Sequence, residues 1–264
     1  MAICAGVGFS KQKDAFEAGY EAGKKAMENC EAGQKPHLTI VFSSVSFDQK
    51  EVIRGVREVS GGVALVGCSD AGEITNDGPN QGGVAVLAIR SDQMQFHTGL
   101  GKDMKTVGAR EAGQEVAKEV KEKTGEDLSA FIMFPDVLAG NGADVVRGVL
   151  DILGEHFPVV GGAAGDDFIF EKTYEYRDDE VVSGGVGGVG LSGKFSMGAG
   201  VRHGWIPIRM ADIGVVPGSA LAADLGRVHQ VRPLRRVPWW LHGSEILHRS
   251  AHGRPGPRMR HRER

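Results

Sequence analysis

Long apolar runs are missing from this chain. No stretch approaches the roughly 20 residues that a membrane-spanning helix needs, so no membrane role is expected. Cysteine is scarce: Cys4, Cys30 and Cys68 form an odd set without paired spacing, which excludes a disulfide framework and points to reduced thiols in the cytoplasm. The opening MAICAGVGF has no basic stretch before its short apolar segment, so no secretory leader is expected. A charge excess is also lacking. With 31 Lys+Arg against 34 Asp+Glu the net charge is −3, which argues against general nucleic-acid binding. HExxH, CxxC and GxSxG are absent, and no carboxylate pair sits in an acid–base setting, so a non-enzymatic chain is expected.

What the chain has is repetition. Residues 52–72, VIRGVREVSGGVALVGCSDAG, find an echo in residues 145–165, VVRGVLDILGEHFPVVGGAAG. Val52, Arg54, Gly55 and Val56 recur as Val145, Arg147, Gly148 and Val149. Upstream, EAGYEAGK from Glu17 recurs as EAGQEVAK from Glu111. A unit built twice makes a body with a seam, and a seam is a common place for a small-molecule site.

Periodicity fills in the unit. The first copy predicts a strand at 3–9 and a helix at 14–30, with Phe16, Tyr20, Gly23 and Met27 on one face. A β-branched strand at 37–44, a helix at 47–59 and the strand VALVGCS follow. Two strand-like runs, 82–90 and 94–101, read as a hairpin turning at Ser91-Asp92. The second copy predicts a helix at 105–123, a strand at 128–134, a helix at 142–153, the strand PVVGG and antiparallel strands to about 201. It carries about eight more residues before its Gly-Gly-Val strand than the first copy does. The expected fold is therefore α/β with α+β character. Two tandem repeats of helix-strand-helix-strand-hairpin, about 3–101 and 102–209, form a mixed-sheet sandwich. Forty glycines, many of them after residue 160, mark either tight packing between layers or backbone approach to a ligand.

Residues 211–264 differ in kind. They contain ten arginines and no lysine, with five of the nine histidines and five of the ten prolines. One reading is a basic arm, with Trp239-Trp240 as an aromatic contact. The favoured reading is text from a shifted reading frame, mostly disordered, because a selected basic arm usually mixes lysine with arginine. His242, His248 and His252 make weak metal spacing.

Three segments carry candidate chemistry. The first is VGCSDAGEI, where a buried strand ends in Cys68, Ser69, Asp70, Gly72 and Glu73. Cys68 would be a nucleophile only with a base brought from elsewhere, such as His203. Asp70 and Glu73 would hold an amine, or Ser69 and Asp70 would simply satisfy the turn. The second is GGAAGDD, with Gly161, Gly162, Asp166 and Asp167. It lacks the Lys-Ser/Thr and spaced glycines of nucleotide loops, and its two acids would repel phosphate. Adjacent carboxylates also make a poor chelate for a hard cation. The third is GVRHGWIP, where His203 and Trp205 form either a ligand-binding corner or a packed turn. His97 reads as a strand residue, and His37 and His156 carry no signal.

In order along residues 3–209, AGVGFS, AFEAGYEAGKKA, VGCSDAGEI, GGAAGD and RHGW resemble the N-terminal half of the FIST family, the F-box and intracellular signal transduction proteins. The resemblance implies a cytoplasmic, non-catalytic sensory module. It would bind a small molecule such as an amino acid and relay occupancy to a separate signalling protein, such as a histidine kinase or a cyclic-nucleotide enzyme. No resident cofactor is expected, with haem as the possible exception. Some relatives look like haem-based nitric oxide sensors, which would make His203 or His97 an axial ligand; a thiol-dependent enzyme using Cys68 is the further alternative. The chain departs from the family pattern after residue 210, where the arginine-rich segment takes the place of a C-terminal FIST domain.

Overall fold

The computed structural model describes residues 3–31, 34–76, 78–198, 205–207 and 231–233. The chain divides into two bodies, Met1–Ala199 and Gly200–Arg264. The first begins with strand β1 (Ile3–Ser10), helix α1 (Ala15–Glu31), β2 (Leu38–Ser44), α2 (Gln49–Ser60) and β3 (Ala64–Asp70). The short pair β4 (Ile74–Thr75) and β5 (Gly78–Pro79) then leads to β6 (Val84–Ser91). The second half runs β7 (Met94–Gly101), α3 (Met104–Val107), α4 (Ala109–Thr124), β8 (Leu128–Pro135), α5 (Gly142–Leu153) and β9 (Val159–Gly161). It closes with β10 (Glu175–Arg177), β11 (Glu180–Val182) and β12 (Val186–Gly193). In the second body the described residues form one antiparallel pair, β13 (Trp205–Pro207) with β14 (Val231–Pro233).

Local chemistry sets the helix ends. Asp48 caps α2 by accepting from the backbone N–H of Lys50 and Glu51, and Gly61 ends it in the left-handed conformation at φ 75°. The single helix predicted over 105–123 is two helices, broken at Gly108, whose φ of 104° a helix cannot hold. α5 spans 142–153 as its periodicity predicts, with Asn141 accepting from Ala143 N–H.

The two halves build the same sheet. The first is ordered β1-β6-β2-β3 and the second β7-β12-β8-β9. In each, the first strand pairs antiparallel with the last, the last antiparallel with the middle strand, and the middle strand parallel with its neighbour. The repeated glycines explain the repeated helix pairs. A Cβ on Gly19 would lie 2.2 Å from Val52 O, and one on Gly55 2.2 Å from Phe16 O. In the second half Gly113 meets Val145 O at 2.3 Å and Gly148 meets Arg110 O at 2.0 Å. The EAG and RGV motifs are thus the two faces of one backbone-to-backbone helix crossing, made twice.

The layers follow from strand alternation. Val41, Leu65, Val84 and Val86 turn toward Ala18, Ala22, Val52 and Val56 of α1 and α2. On the opposite face Leu38, Ile40, Val66 and Cys68 meet Ala130, Phe134, Val189 and Leu191 of the second sheet. Phe131 and Met133 turn the other way, onto Val116, Val120, Val145 and Val149 of α4 and α5. The order is helix, sheet, sheet, helix.

Two expectations are corrected. Residues 84–91 and 94–101 are not a hairpin: β6 pairs with β1 and β2, whereas β7 pairs with β12 in the other sheet. Ser91 Oγ accepts from the N–H of Gln93 and Met94, and this turn carries the chain between sheets. The extra residues of the second copy lie where its pattern predicts antiparallel strands. They supply β10 and β11, which extend the first sheet beyond β3. Residues 195–198, read as part of a last strand, are irregular.

Candidate functional site

β2 and β3 run parallel in one sheet, β8 and β9 in the other, and all four end at one cavity of about 510 Å³. In open α/β sheets the carboxyl ends of parallel strands are where ligands sit. Phe42 of β2 and Phe134 of β8 meet edge to face at its apolar wall, with ring centres 5.5 Å apart. The turn after β3 contributes Asp70, Ala71, Gly72 and Glu73, and the turn after β9 contributes Gly162, Ala163 and Gly165. The two turns singled out in the sequence, one from each half, thus face a common space.

The turns are tied together by Ser69. Its backbone N–H donates to Tyr174 O at 2.8 Å and its carbonyl accepts from Gly165 N–H at 2.9 Å. Its hydroxyl donates to Gly165 O at 2.7 Å and accepts from Tyr174 N–H at 2.9 Å. Ser69 is wholly buried and its one hydroxyl proton is committed, so it acts as a clasp between the halves.

Asp70 and Glu73 differ from it. Asp70 Oδ1 accepts from Gly72 N–H at 3.2 Å, and Glu73 Oε1 accepts from Gly83 N–H at 2.6 Å. Their other oxygens, Asp70 Oδ2 and Glu73 Oε2, are buried without a hydrogen-bond partner. Glu73 is only 2% exposed. An unpaired buried polar atom costs about 1–3 kcal/mol, so two beside one cavity need a reason. Burial, and then the charge of Glu73, push the Asp70 carboxyl up to about 7, against the pull of Gly72 N–H.

Cys68 also borders the cavity but is 2% exposed, and its side chain belongs to the core between the sheets. Burial, then the nearby Glu175 and Asp70, push its thiol well above the ordinary range. It is a protonated thiol at neutral pH and a weak nucleophile.

Gly161 and Gly162 sit side by side with different duties. Gly161 lies under Met133 O of β8, whereas a Cβ on Gly162 would meet nothing within 4 Å. Asp166 and Asp167 are not in the cavity lining. Asp166 accepts from the N–H of Phe170, Glu171 and Lys172. Burial opposes its ionisation, but these donors outweigh it and hold its carboxyl below the usual value. Asp167, at φ 54°, accepts from Ser44 Oγ at 2.6 Å. Both shape the loop leading to β10. His203 lies outside the described residues, and of Trp205 only the strand position in β13 is described.

Among the described residues, the cavity lining offers no ligand that fits a haem iron. None of the described lining residues supplies an imidazole, and the Cys68 thiol is held protonated. His97 stands opposite Gly190 in β7, with Nε2 3.4 Å from Ser192 Oγ, and is not part of the lining. Among the described residues no group of three His, Cys, Asp or Glu could hold a metal ion. No helix among them is long and apolar enough to cross a membrane.

The sequence reading missed Phe42 and Phe134. Their signal was in the repeat: both stand near the carboxyl end of the middle strand, in TIVFSS and FIMFP. It also missed Glu175, fully buried in β10 opposite Cys68. Burial, then Asp136, push that carboxyl up to about 9, while Thr173 Oγ1 and Gly185 N–H donate to its oxygens. No local pattern marks a strand residue as buried beneath a neighbouring sheet.

Two like α/β halves around one cavity make this a mixed-sheet α/β domain. The chain belongs to the FIST family, whose members are signal-transduction sensory domains: the family model described as the FIST N domain matches residues 37–211. β1 and α1 precede that match, although both complete the first sheet and its helix layer. No curated protein matches the chain. Among solved structures it is similar to a cyanuric acid hydrolase from A. caulinodans. The identity is 11% and the TM-score 0.38, over 74% of this chain and 72% of that one, a likeness too low to carry an argument about fold or activity.

Proposed function

We propose that the chain is a cytoplasmic, non-catalytic sensory module whose cavity binds a small molecule and whose occupancy is read by a separate signalling protein. A histidine kinase or a cyclic-nucleotide enzyme is the kind of partner meant. One observation carries the reading: a single cavity of about 510 Å³ is walled by equivalent turns from both halves. A ligand there touches both, so it can favour one arrangement of the halves over another. Only such a difference in affinity shifts a population. The protonated, buried Cys68 supports a binding role over thiol chemistry. The absence of an imidazole among the described lining residues weighs against the haem reading.

A thermal-shift screen of the full chain with small amines, amino acids and carboxylic acids tests the proposal. A ligand that binds the folded form raises the melting temperature by mass action, about 2.7 kcal/mol at a hundred times its Kd. The shift should vanish when Gly162→Trp fills the cavity. A shift that survives that substitution places binding elsewhere and refutes the assignment.

A further inference from the structure

The proposed cavity can be read one step further, toward the head group its ligand carries; this step rests on the binding role argued above. The lining is mainly apolar, with the Phe42–Phe134 pair at one wall. Its ionisable groups with a free atom are both acidic: Asp70 Oδ2 and Glu73 Oε2, buried and without a partner. Among the described residues no Lys, Arg or His lines it. The backbone donors are mostly committed as well. Gly72 N–H bonds Asp70, Glu73 N–H bonds Asn80 O, Gly162 N–H bonds Met133 O, and Gly165 N–H bonds Ser69 O.

We infer that the ligand is an organic cation, a primary amine or amidine on an apolar body, and that it carries no carboxylate. An ammonium offers three donors and no acceptor, matching two carboxyl oxygens that lack donors. An α-amino acid would bring the same ammonium with a carboxylate beside it. That carboxylate would be desolvated next to Asp70 and Glu73, with no cation among the described lining residues to receive it, which costs more than the amine gains. The chemistry therefore favours the decarboxylated amine over the parent amino acid, against the amino-acid expectation drawn from the family resemblance.

Isothermal titration of the full chain tests this with four probes sharing one body: 2-phenylethylamine, phenylalanine, 2-phenylethanol and 3-phenylpropanoic acid. A second series built on the isoamyl group covers a smaller body. The amine is expected to bind at least about tenfold tighter than the amino acid and the acid, with the alcohol between. Asp70→Asn and Glu73→Gln should each weaken the amine about tenfold and leave the alcohol within about twofold. The comparison of head groups on the unsubstituted chain stands even if a variant fails to fold. Amino acid or acid binding as tightly as the amine overturns the inference and leaves the cavity as a binding site. Amine affinity unchanged in both variants also overturns it. No binding by any head group in either series removes the sensory reading together with it.

Discussion

Gly161 and Gly162 stand next to each other at the cavity wall, yet adding one methyl group to each should have opposite effects. A Cβ on Gly161 would lie 1.9 Å from Met133 O, about 1.1 Å inside the shortest separation of 3.0 Å that such atoms tolerate. The clash is with backbone, so no side chain can swing away. β9 is an edge strand and must retreat from β8. A retreat of about 1.1 Å takes the bond from Phe131 N to Pro158 O from 3.0 to about 4.1 Å, and that from Gly162 N to Met133 O from 3.3 to about 4.4 Å, beyond hydrogen-bond reach. Two bonds at about 0.5–1.5 kcal/mol each, with some residual strain, put the cost of Gly161→Ala at about 2–4 kcal/mol. A Cβ on Gly162 meets nothing within 4 Å, so Gly162→Ala should be neutral or gain about 0.4–1 kcal/mol from the stiffer unfolded chain. Urea denaturation of the three proteins under one set of conditions reads the difference in midpoints. Equal midpoints for the two variants would refute the close approach of β9 to β8 and the shape of the wall built on it.

Asp70→Asn should stabilise the protein as pH rises. The folded carboxyl is pushed up to about 7 against 3.8 for an ordinary aspartate, so between those values the fold keeps a proton that the unfolded chain has released, and stability falls with increasing pH. The gap between variant and parent should open from pH 4, reach a ceiling of about 4 kcal/mol at pH 7, and stay flat above it. Part of Asp70 still touches solvent, so screening brings the expected gap nearer to about 2 kcal/mol. A gap that does not depend on pH, measured by denaturation at pH 4, 5.5 and 7.5, contradicts the buried state of the carboxyl. Alkylation by iodoacetamide at pH 7.5, followed by mass spectrometry, should label Cys4 and Cys30 at least about tenfold faster than Cys68, whose thiol is buried and protonated. Rapid labelling of Cys68 would revive the thiol-enzyme reading.

Much of the fold was written in local pattern. Each helix and strand of the parallel pairs lies within a few residues of its predicted place, because 3.6-residue and two-residue periods are properties of a single segment. The repeat was legible for a different reason. Gly19, Gly55, Gly113 and Gly148 must be glycine wherever two helices touch backbone to backbone, so the same letters return at the same spacing. Sheet membership was not legible. Residues 84–101 look like a hairpin because nothing within them records that β6 and β7 have different partners. Of the site, the acid-bearing turn stood out as polar residues at the end of a buried strand. Which polar atoms would be used up was hidden, since the partners of Ser69 lie 96 and 105 residues away. Asp166 and Asp167 looked like ligands for the same reason: the donors and hydroxyl that occupy them appear only once the loop has closed.

The hairpin that the second half lends to the first sheet has a consequence for synthesis. Residues 1–92 leave the ribosome as a nearly finished layer, but the outer edge of β3 stays bare until Glu175–Arg177 emerges to cover Val66–Cys68. An uncovered strand edge is a template for pairing with other chains. The nascent protein is therefore most vulnerable to aggregation in the interval between its two halves, and any fragment ending before residue 175 should inherit that vulnerability permanently.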